Sequence, residues 1–431
     1  MIYLSDIKPS TEIDTSQLPD LSSYLQTIQS AVSAHTYEKQ EGSPGLGDDT
    51  ETLSLVQDMA KQMVSDELKY VIDIGIGGSN LGAKAVYDAL HGYFDTLDPE
   101  RTPRLLFADT NDPEYLSQLI RFLKQKVHKP QEIIINVISK SGGTTETITN
   151  AEVVLSALSH LDIKDRVVVT TEKTSPMGHA VEKRGFRFLP HPNVGGRYSI
   201  LSTVGLFPLA CVGVDIEALR SGAVAARENG LAGGVENSIA LRSARTLFAH
   251  LLKGYIIHDT FFFHPELESL GKWYRQLTGE SLGKEQDLDG KTVFAGMTPT
   301  VSVGSTDLHS MAQLYLGGPR NKITTFVSSA KSDSVRTPAE FVFDGLVSNI
   351  TDRPIHEIMS AILEGTKVAY TKQKLPYMHI ELDAIDEHSI GAFMQMRMIE
   401  MMLLARMMNI NAFDQPHVEI YKKEVKRILA E

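Results

Sequence analysis

The stretch from Ile133 to Asn150, IIINVISKSGGTTETITN, leaves its chain little choice of fold. A continuous apolar, β-branched run ends in Ser139-Lys140-Ser141-Gly142-Gly143-Thr144-Thr145. From Glu146 a helical pattern then runs through Val153, Val154, Leu155 and Leu158. A run apolar on both faces and bounded by turn residues is a buried parallel strand. The turn after it delivers hydroxyls, two glycines and unpaired backbone N–H groups to a helix start. Such a start carries roughly half a positive charge, and its orphan donors point outward. With Ser139, Ser141 and Thr144 beside them, these groups form a cradle for a phosphate dianion. Capping the helix uses one such hydroxyl and leaves the rest of the cluster unexplained.

The same strand-then-helix alternation recurs along the chain. Strands are expected at Tyr70–Ile74, Arg104–Ala108, Ile133–Ile138 and Arg166–Thr170. Helices are expected at Thr52–Glu67, Ser79–Leu90, Pro113–Lys124 and after the Ser139 turn. Repeated βα units with short loops imply parallel sheets covered by helices on both faces. Leu201–Val214 is apolar enough for a buried helix. Later segments at Phe294–Val303, Lys322–Ser328 and Met378–Leu382 read as further strands, and Ser389–Met408 as a methionine-rich helix. That helix is apolar around most of its surface, which fits core packing or a subunit contact rather than a soft-metal site. Residues 1 to about 40 read as a polar lead-in plus one helix carrying Leu21, Tyr24, Leu25, Ile28 and Val32. Gly42–Asp49 reads as loop.

A chain of 431 residues exceeds what one hydrophobic core serves, so two domains are expected. The formal net charge of −12 argues against a nucleic-acid partner, which needs a basic face to displace counterions. It also means that an anionic ligand must be drawn by local cations and helix ends. Cys211 is the only cysteine, so no intramolecular disulfide or thiolate metal cluster can form. The start, MIYLSDIKPSTEID, lacks a signal-peptide layout, and no apolar run approaches membrane-spanning length. A cytoplasmic protein without a membrane partner is expected.

Several further motifs are ambiguous alone. Gly75-Ile76-Gly77-Gly78-Ser79-Asn80-Leu81-Gly82 follows the first strand but is not a dinucleotide fingerprint, since Asn80 stands where the third glycine would be. Two Gly/Ser turns at neighbouring strand ends point instead to one shared pocket. Gly279–Glu285 (GESLGKE) departs from a nucleotide-triphosphate loop in glycine spacing and in Glu285. Arg197, in Gly195-Gly196-Arg197-Tyr198-Ser199, enters a buried region as either a salt bridge between elements or a fixed cation beside an oxyanion. Glu280, His309 and Lys422 taken singly read as surface residues.

Together, in order, GIGGSNLG, SKSGGTTET, GGRYS, TGESLGK, the His309 segment and FDQ…VE…K resemble the phosphoglucose isomerase (glucose-6-phosphate isomerase) family, in its bacterial-type short form, from about Tyr70 to Lys422. The resemblance implies an α/β fold of two sugar-isomerase-type (SIS, flavodoxin-like) three-layer αβα domains with parallel sheets. It divides the chain into an N-terminal extension, 1–46, packing on the second domain, a first domain, 47–212, and a second, 213–431. It implies reversible conversion of glucose 6-phosphate to fructose 6-phosphate in glycolysis and gluconeogenesis, without a metal or organic cofactor, by a homodimer whose active sites are shared between subunits. Glu280 matches the base that moves a proton between C1 and C2 through a cis-enediolate, and Arg197 matches the cation at the enediolate oxygens. His309 and Lys422 match the ring-opening pair, the histidine reaching into the neighbouring subunit. Gly78, Ser79, Ser139, Lys140, Ser141 and Thr144 match the phosphate site, and Gly196, Gln276 and Gln415 the sugar site.

One departure stands out. His417 occupies a position that is glycine or alanine in the family's C-terminal signature, five residues before Lys422, where its bulk could crowd the pocket or alter how Lys422 is presented. The alternative readings are an isomerase of the same class for another sugar phosphate, mannose 6-phosphate included, and a non-catalytic sugar-phosphate sensor. A sensor would keep the cradle but would have no reason to keep Glu280, His309, Arg197 and Lys422 together.

Overall fold

In the computed structural model, which describes residues 2–8, 18–98, 100–231, 238–331, 335–343 and 345–431, the described strands sort into two five-stranded sheets and one small hairpin. In chain order they are β1 (Ile2–Lys8), β2 (Tyr70–Ile74), β3 (Arg104–Phe107), β4 (Ile133–Ile138), β5 (Val167–Thr171), β6 (Arg187–Pro190), β7 (Ile257–Phe262), β8 (Lys284–Gln286), β9 (Thr292–Ala295), β10 (Thr298–Val303), β11 (Lys322–Ser329) and β12 (Tyr377–Leu382). The first sheet runs β3-β2-β4-β5-β6 and is parallel throughout. The second runs β1-β12-β11-β7-β10 and is parallel except at β1, which pairs antiparallel with β12.

Alternate residues of each strand feed different cores, as the strand period requires. Val71, Ile134 and Val168 face one layer of helices, while Ile72, Ile133, Ile135, Val137 and Val169 face another. In the second sheet Phe262, Val327, Met378 and Ile380 join the first of these cores. Phe261, Phe326 and Tyr377 face the outer helices. Each fully buried Ile, Leu or Phe is worth about 1.5–3 kcal/mol relative to exposure. The αβα layering expected from the alternation is therefore present.

The details differ in places. β1 is a strand where a polar lead-in is expected, and its antiparallel pairing qualifies an all-parallel second sheet. Gln40–Asp48 is a 3-10 stretch rather than loop. Its Gly42–Gly47 segment is buried against the helices Ser22–Ala34 and Ile216–Leu231. β6 and β7 replace segments without a strand reading, and Phe294–Val303 divides into β9 and β10. The methionine-rich helix, Glu387–Met407, is buried along nearly its whole length but is not purely apolar. Arg397 and Glu400 form a fully buried pair at 2.7 Å. Glu400 also accepts from Tyr274 at 2.7 Å and from Ser243, and so fixes the helix Glu268–Leu282 from one side.

Beneath the first Gly/Ser turn, Asp73 of β2 lies fully buried opposite Asn136 of β4, which donates to Asp73 Oδ1 at 2.7 Å. Burial pushes its carboxyl up to about 8. Asp73 Oδ2 and Asn136 Oδ1 are both buried without a partner, which favours the neutral, protonated carboxyl. Because the folded pKa lies above the unfolded one, this contribution is complete below about pH 4 and is lost as pH rises through about 8. Asp73→Asn is therefore expected to gain little stability near pH 4 and progressively more towards pH 8. Denaturant melts of both proteins across that range check the slope.

Candidate active site

Glu280 stands in the last turn of the helix Glu268–Leu282, whose Leu270, Trp273, Leu277 and Leu282 are buried. A carboxylate there faces the negative end of the helix dipole, so it needs a compensating cation. Arg197 supplies one. Its Nη1 lies 2.9 Å from Glu280 Oε2, and Gln276, one turn back, donates to Oε1 at 3.0 Å. The Glu280 side chain keeps 30% of its surface accessible, whereas that of Arg197 keeps 1%.

Arg197 is held by two segments far from it in sequence, Glu280–Ser281 and Ala412–Gln415. Nε donates to Ser281 Oγ at 3.0 Å, Nη1 also donates to Gln415 Oε1 at 3.0 Å, and Nη2 donates to the Ala412 carbonyl at 2.6 Å. A guanidinium has five N–H groups. These bonds and the Glu280 contact engage four of them. Arg197 thus serves as a structural tie and as a fixed cation at once. A residue that motif reading passes over, Lys284, binds the Glu280 carbonyl at 2.6 Å, the Asp414 carbonyl and, at 3.2 Å, Asp414 Oδ1. Its only signal in the sequence is its place in GESLGK, where the likeness to a nucleotide loop points elsewhere. Ser281, which accepts from Arg197 Nε and lies 2.9 Å from the Tyr198 hydroxyl, gives none.

The two Gly/Ser turns adjoin this group. β2 and β4 are neighbours with Ile74 opposite Val137, so their carboxyl ends lie side by side. After β2, Gly77 (φ +60°) and Gly78 close a 3-10 turn ending at Ser79. A Cβ on Gly78 would lie 2.2 Å from the Gly196 carbonyl carbon and 2.5 Å from Arg197 N, so only glycine fits. One on Gly77 would lie 3.0 Å from Gln276 Nε2. The first turn therefore packs on both partners of Glu280. After β4, Thr144 is the N-cap of the helix Thr145–Ala157 yet makes no side-chain capping bond; its hydroxyl lies 3.1 Å from Ser139 Oγ. Its backbone and that of Gly142 (φ +68°) fold the turn so that Ser141 is exposed and Ser139 buried. Lys140 reaches across to the Val194 carbonyl at 3.3 Å and tethers this turn to the segment that leads into Gly196 and Arg197.

Of the residues expected at the site, Arg197, Glu280, Gln276 and Gln415 thus meet directly, with Gly78 and Gly196 in backbone contact. Ser79, Ser139, Lys140, Ser141 and Thr144 occupy the adjoining strand ends. His309 and Lys422 are not joined to this group by any hydrogen bond or ion pair among the described residues. His309 is exposed beyond β10, and Lys422 pairs with Glu419 at 2.8 Å on the helix Val418–Leu429, which buries none of its residues. His417 turns outward to Glu285 at 2.7 Å rather than into the site.

Residues 55–431 match the model of the family described as phosphoglucose isomerase. The glucose-6-phosphate isomerase of Streptococcus agalactiae serotype III is 33% identical over 393 residues, covering 88% of this chain and 84% of that one. The enzyme of the same name from Streptococcus pyogenes serotype M6 is 32% identical over 382 residues, covering 86% and 82%. Among solved structures, a hypothetical protein from Thermus thermophilus superposes with a TM-score of 0.83 at 31% identity, covering 95% of this chain and 96% of its own. A glucose-6-phosphate isomerase from Chlamydia trachomatis shares the fold, with a TM-score of 0.76 at 21% identity over 91% and 75% of the two chains.

Proposed function

The chain belongs to the phosphoglucose isomerase family, and on that premise we propose how its residues carry the reaction. It is an aldose–ketose isomerase that interconverts D-glucose 6-phosphate and D-fructose 6-phosphate. The observation that carries the assignment of roles is the partly exposed Glu280 carboxylate, held by Arg197 and Gln276 against a glycine turn next to the Ser139 cradle.

The phosphate is bound by Ser139, Ser141, Thr144 and Ser79, with backbone N–H groups at Gly78 and Lys140 and the start of the helix Thr145–Ala157. Glu280 removes the proton on one of C1 and C2 and returns it to the other. The electron pair moves into a C1–C2 double bond and the carbonyl oxygen takes up negative charge, which the Arg197 guanidinium meets; as the proton returns to the other carbon, the hydroxyl proton passes from one oxygen to the other and the new carbonyl forms. Gly196, Gln276 and Gln415 line the sugar.

Ring opening requires a proton to move between the ring oxygen and the C1 hydroxyl, and this falls to His309 and Lys422. Neither makes a hydrogen bond or ion pair with Glu280 among the described residues. We assign His309 to the site of a second copy in a homodimer, and Lys422 to a terminal helix none of whose residues is buried in its own chain. Exposed Val342, Phe343, Leu346 and Val347 supply apolar surface for such a partner. The domain limits follow the sheets: 47–212 holds the first, 213–431 most of the second, and 1–46 adds β1 to its edge. The cytoplasm suits a sugar-phosphate enzyme of this family, and no described helix is long and apolar enough to cross a membrane.

Incubating the protein with fructose 6-phosphate in chelator-treated buffer should yield glucose 6-phosphate; absence of product would refute the assignment. Lys422→Ala should slow turnover of the cyclic substrate more than that of an open-chain analogue. Equal losses on the two substrates would remove Lys422 from ring opening.

A further inference from the structure

The second sheet repeats the strand order of the first. Numbered from the first strand of each sheet's own run, the sequence β3-β2-β4-β5 reads 2-1-3-4, and so does β10-β7-β11-β12. β1 stands where β6 would be. β11 is therefore the counterpart of β4, and Ser328-Ser329 at its end are the counterparts of the cradle that begins at Ser139. In open α/β sheets ligands bind beyond the carboxyl ends of the strands, where the strand order reverses. In the first sheet that place, between β2 and β4, is the phosphate cradle. In the second it lies between β7 and β11, and a cavity of about 640 Å³ opens there.

The cavity has a polar floor and an apolar wall. Ser328 and Ser329 from β11, His264 after β7 and Glu381 of β12 form the floor. Phe263 and, from the helix Ile355–Lys372, Met359 and Leu363 stand opposite. The floor is wired to donate. Lys367 Nζ lies 3.4 Å from His379 Nδ1, and an ammonium can only donate, so Nδ1 accepts and the ring proton sits on Nε2. His379 Nε2 lies 2.8 Å from Ser328 Oγ and donates to it, which leaves the Ser328 hydroxyl proton to point at a ligand oxygen. Lys367 and His379 are buried, and Lys367 also pairs with Glu364 at 2.9 Å. The Ser329 hydroxyl already donates to the Lys331 carbonyl at 2.9 Å, so one hydroxyl donor, at Ser328, stands beside the Glu381 carboxylate and an apolar face, a set that suits a molecule with hydroxyls and a C–H face.

We propose that this cavity is a second small-molecule site, separate from the Glu280 site, that binds a sugar, free or phosphorylated. It lies on the opposite sheet from the phosphate cradle and shares with it none of the residues named above for substrate binding.

Equilibrium dialysis of the full chain with labelled glucose 6-phosphate, glucose and inorganic phosphate tests the proposal. Wild type should show two classes of glucose 6-phosphate site per chain. The combined change Ser139→Ala, Ser141→Ala and Thr144→Ala should remove the class that supports turnover and leave the other. Ser329→Trp, which fills the cavity, should remove only that other class while turnover persists. Ser328→Ala alters almost no volume and guards against a folding failure in the tryptophan variant; it should weaken the cavity class about five- to tenfold. If glucose also binds the cradle variant, the hydroxyl-bearing ring is what is recognised; if only glucose 6-phosphate binds it, the site takes the phosphorylated form. A single class that vanishes in the cradle variant and ignores both β11 changes overturns the proposal. So does retention of inorganic phosphate alone. Either result would leave the assignment of Glu280 untouched.

Discussion

Glu280→Gln is expected to lower turnover about 10²–10⁴-fold, the range that a positioned proton-transfer group supplies. Binding of glucose 6-phosphate should change by no more than about threefold, because the amide removes a transition-state role and leaves ground-state contacts in place. The substitution keeps the shape of the side chain. Its oxygen can still accept from Arg197 Nη1, now 2.9 Å from Oε2, and Gln276 can turn its amide to suit. The fold at the end of the helix Glu268–Leu282 should therefore survive. Steady-state kinetics beside a binding titration make the distinction. Parallel losses in binding and turnover would mean that Glu280 is a structural partner of Arg197 and nothing more.

Arg197→Ala is expected to damage both stability and activity. The guanidinium is buried and bonds Ser281, Glu280, Gln415 and the Ala412 carbonyl, all more than eighty residues away from it in sequence. Removing one partner of a buried ion pair costs about 3–5 kcal/mol, and the partial exposure of Glu280 places this case near the lower end. Loss of a donor aimed at developing oxyanion charge costs a further 10²–10³-fold, roughly, in rate. Arg197→Lys separates the two effects. A single ammonium keeps the charge but cannot bond both segments at once as a planar fork does. Thermal melts should show the lysine variant recovering part of the lost stability. Its turnover should stay low. Full recovery of turnover would show that charge alone is needed at this position and that the fork has no catalytic part.

β2, β4 and β5 of the first sheet are legible because each is a short, mostly apolar run, broken only by Asp73 in β2, by Asn136 in β4 and by the threonines that end β5, and because Gly/Ser turns close β2 and β4. The second was harder to read. β7, Ile257–Phe262, carries His258 and Asp259, which break the apolar pattern; both are buried against distant side chains that bond His258 Nε2 and Asp259 Oδ1. His258 pairs with Thr325, and Asp259 accepts from Thr300, Ser302 and Tyr315. Such partners come from tertiary packing and leave no local mark. In β1 the backbone register shifts between Leu4 and Asp6, which breaks the period of two that marks a regular strand. The buried 3-10 stretch Gln40–Asp48 is rich in glycine and reads as loop because what buries it comes from other helices.

The site shows a similar division. The cradle after β4 can be deduced from one short segment, since the hydroxyls, glycines and helix start are contiguous. That Arg197 meets Glu280 cannot, because 83 residues separate them and neither has a local reason to be buried. The family resemblance gives both residues roles at one site without pairing them; the close approach of Gly78 to Gly196 brings the first turn against the Arg197 segment. Lys284 escaped notice because its partners are mostly backbone carbonyls.

Solvent hydrogen exchange reaches the central claim most directly. Fructose 6-phosphate equilibrated with the wild-type protein in deuterium oxide should gain deuterium at one of its two C1 positions, and the glucose 6-phosphate formed should carry it at C2. Glu280→Gln should incorporate none over the same period. Isomerisation by the wild type over many turnovers with every carbon-bound hydrogen retained, or undiminished exchange in the glutamine variant, would contradict proton transfer by this carboxylate.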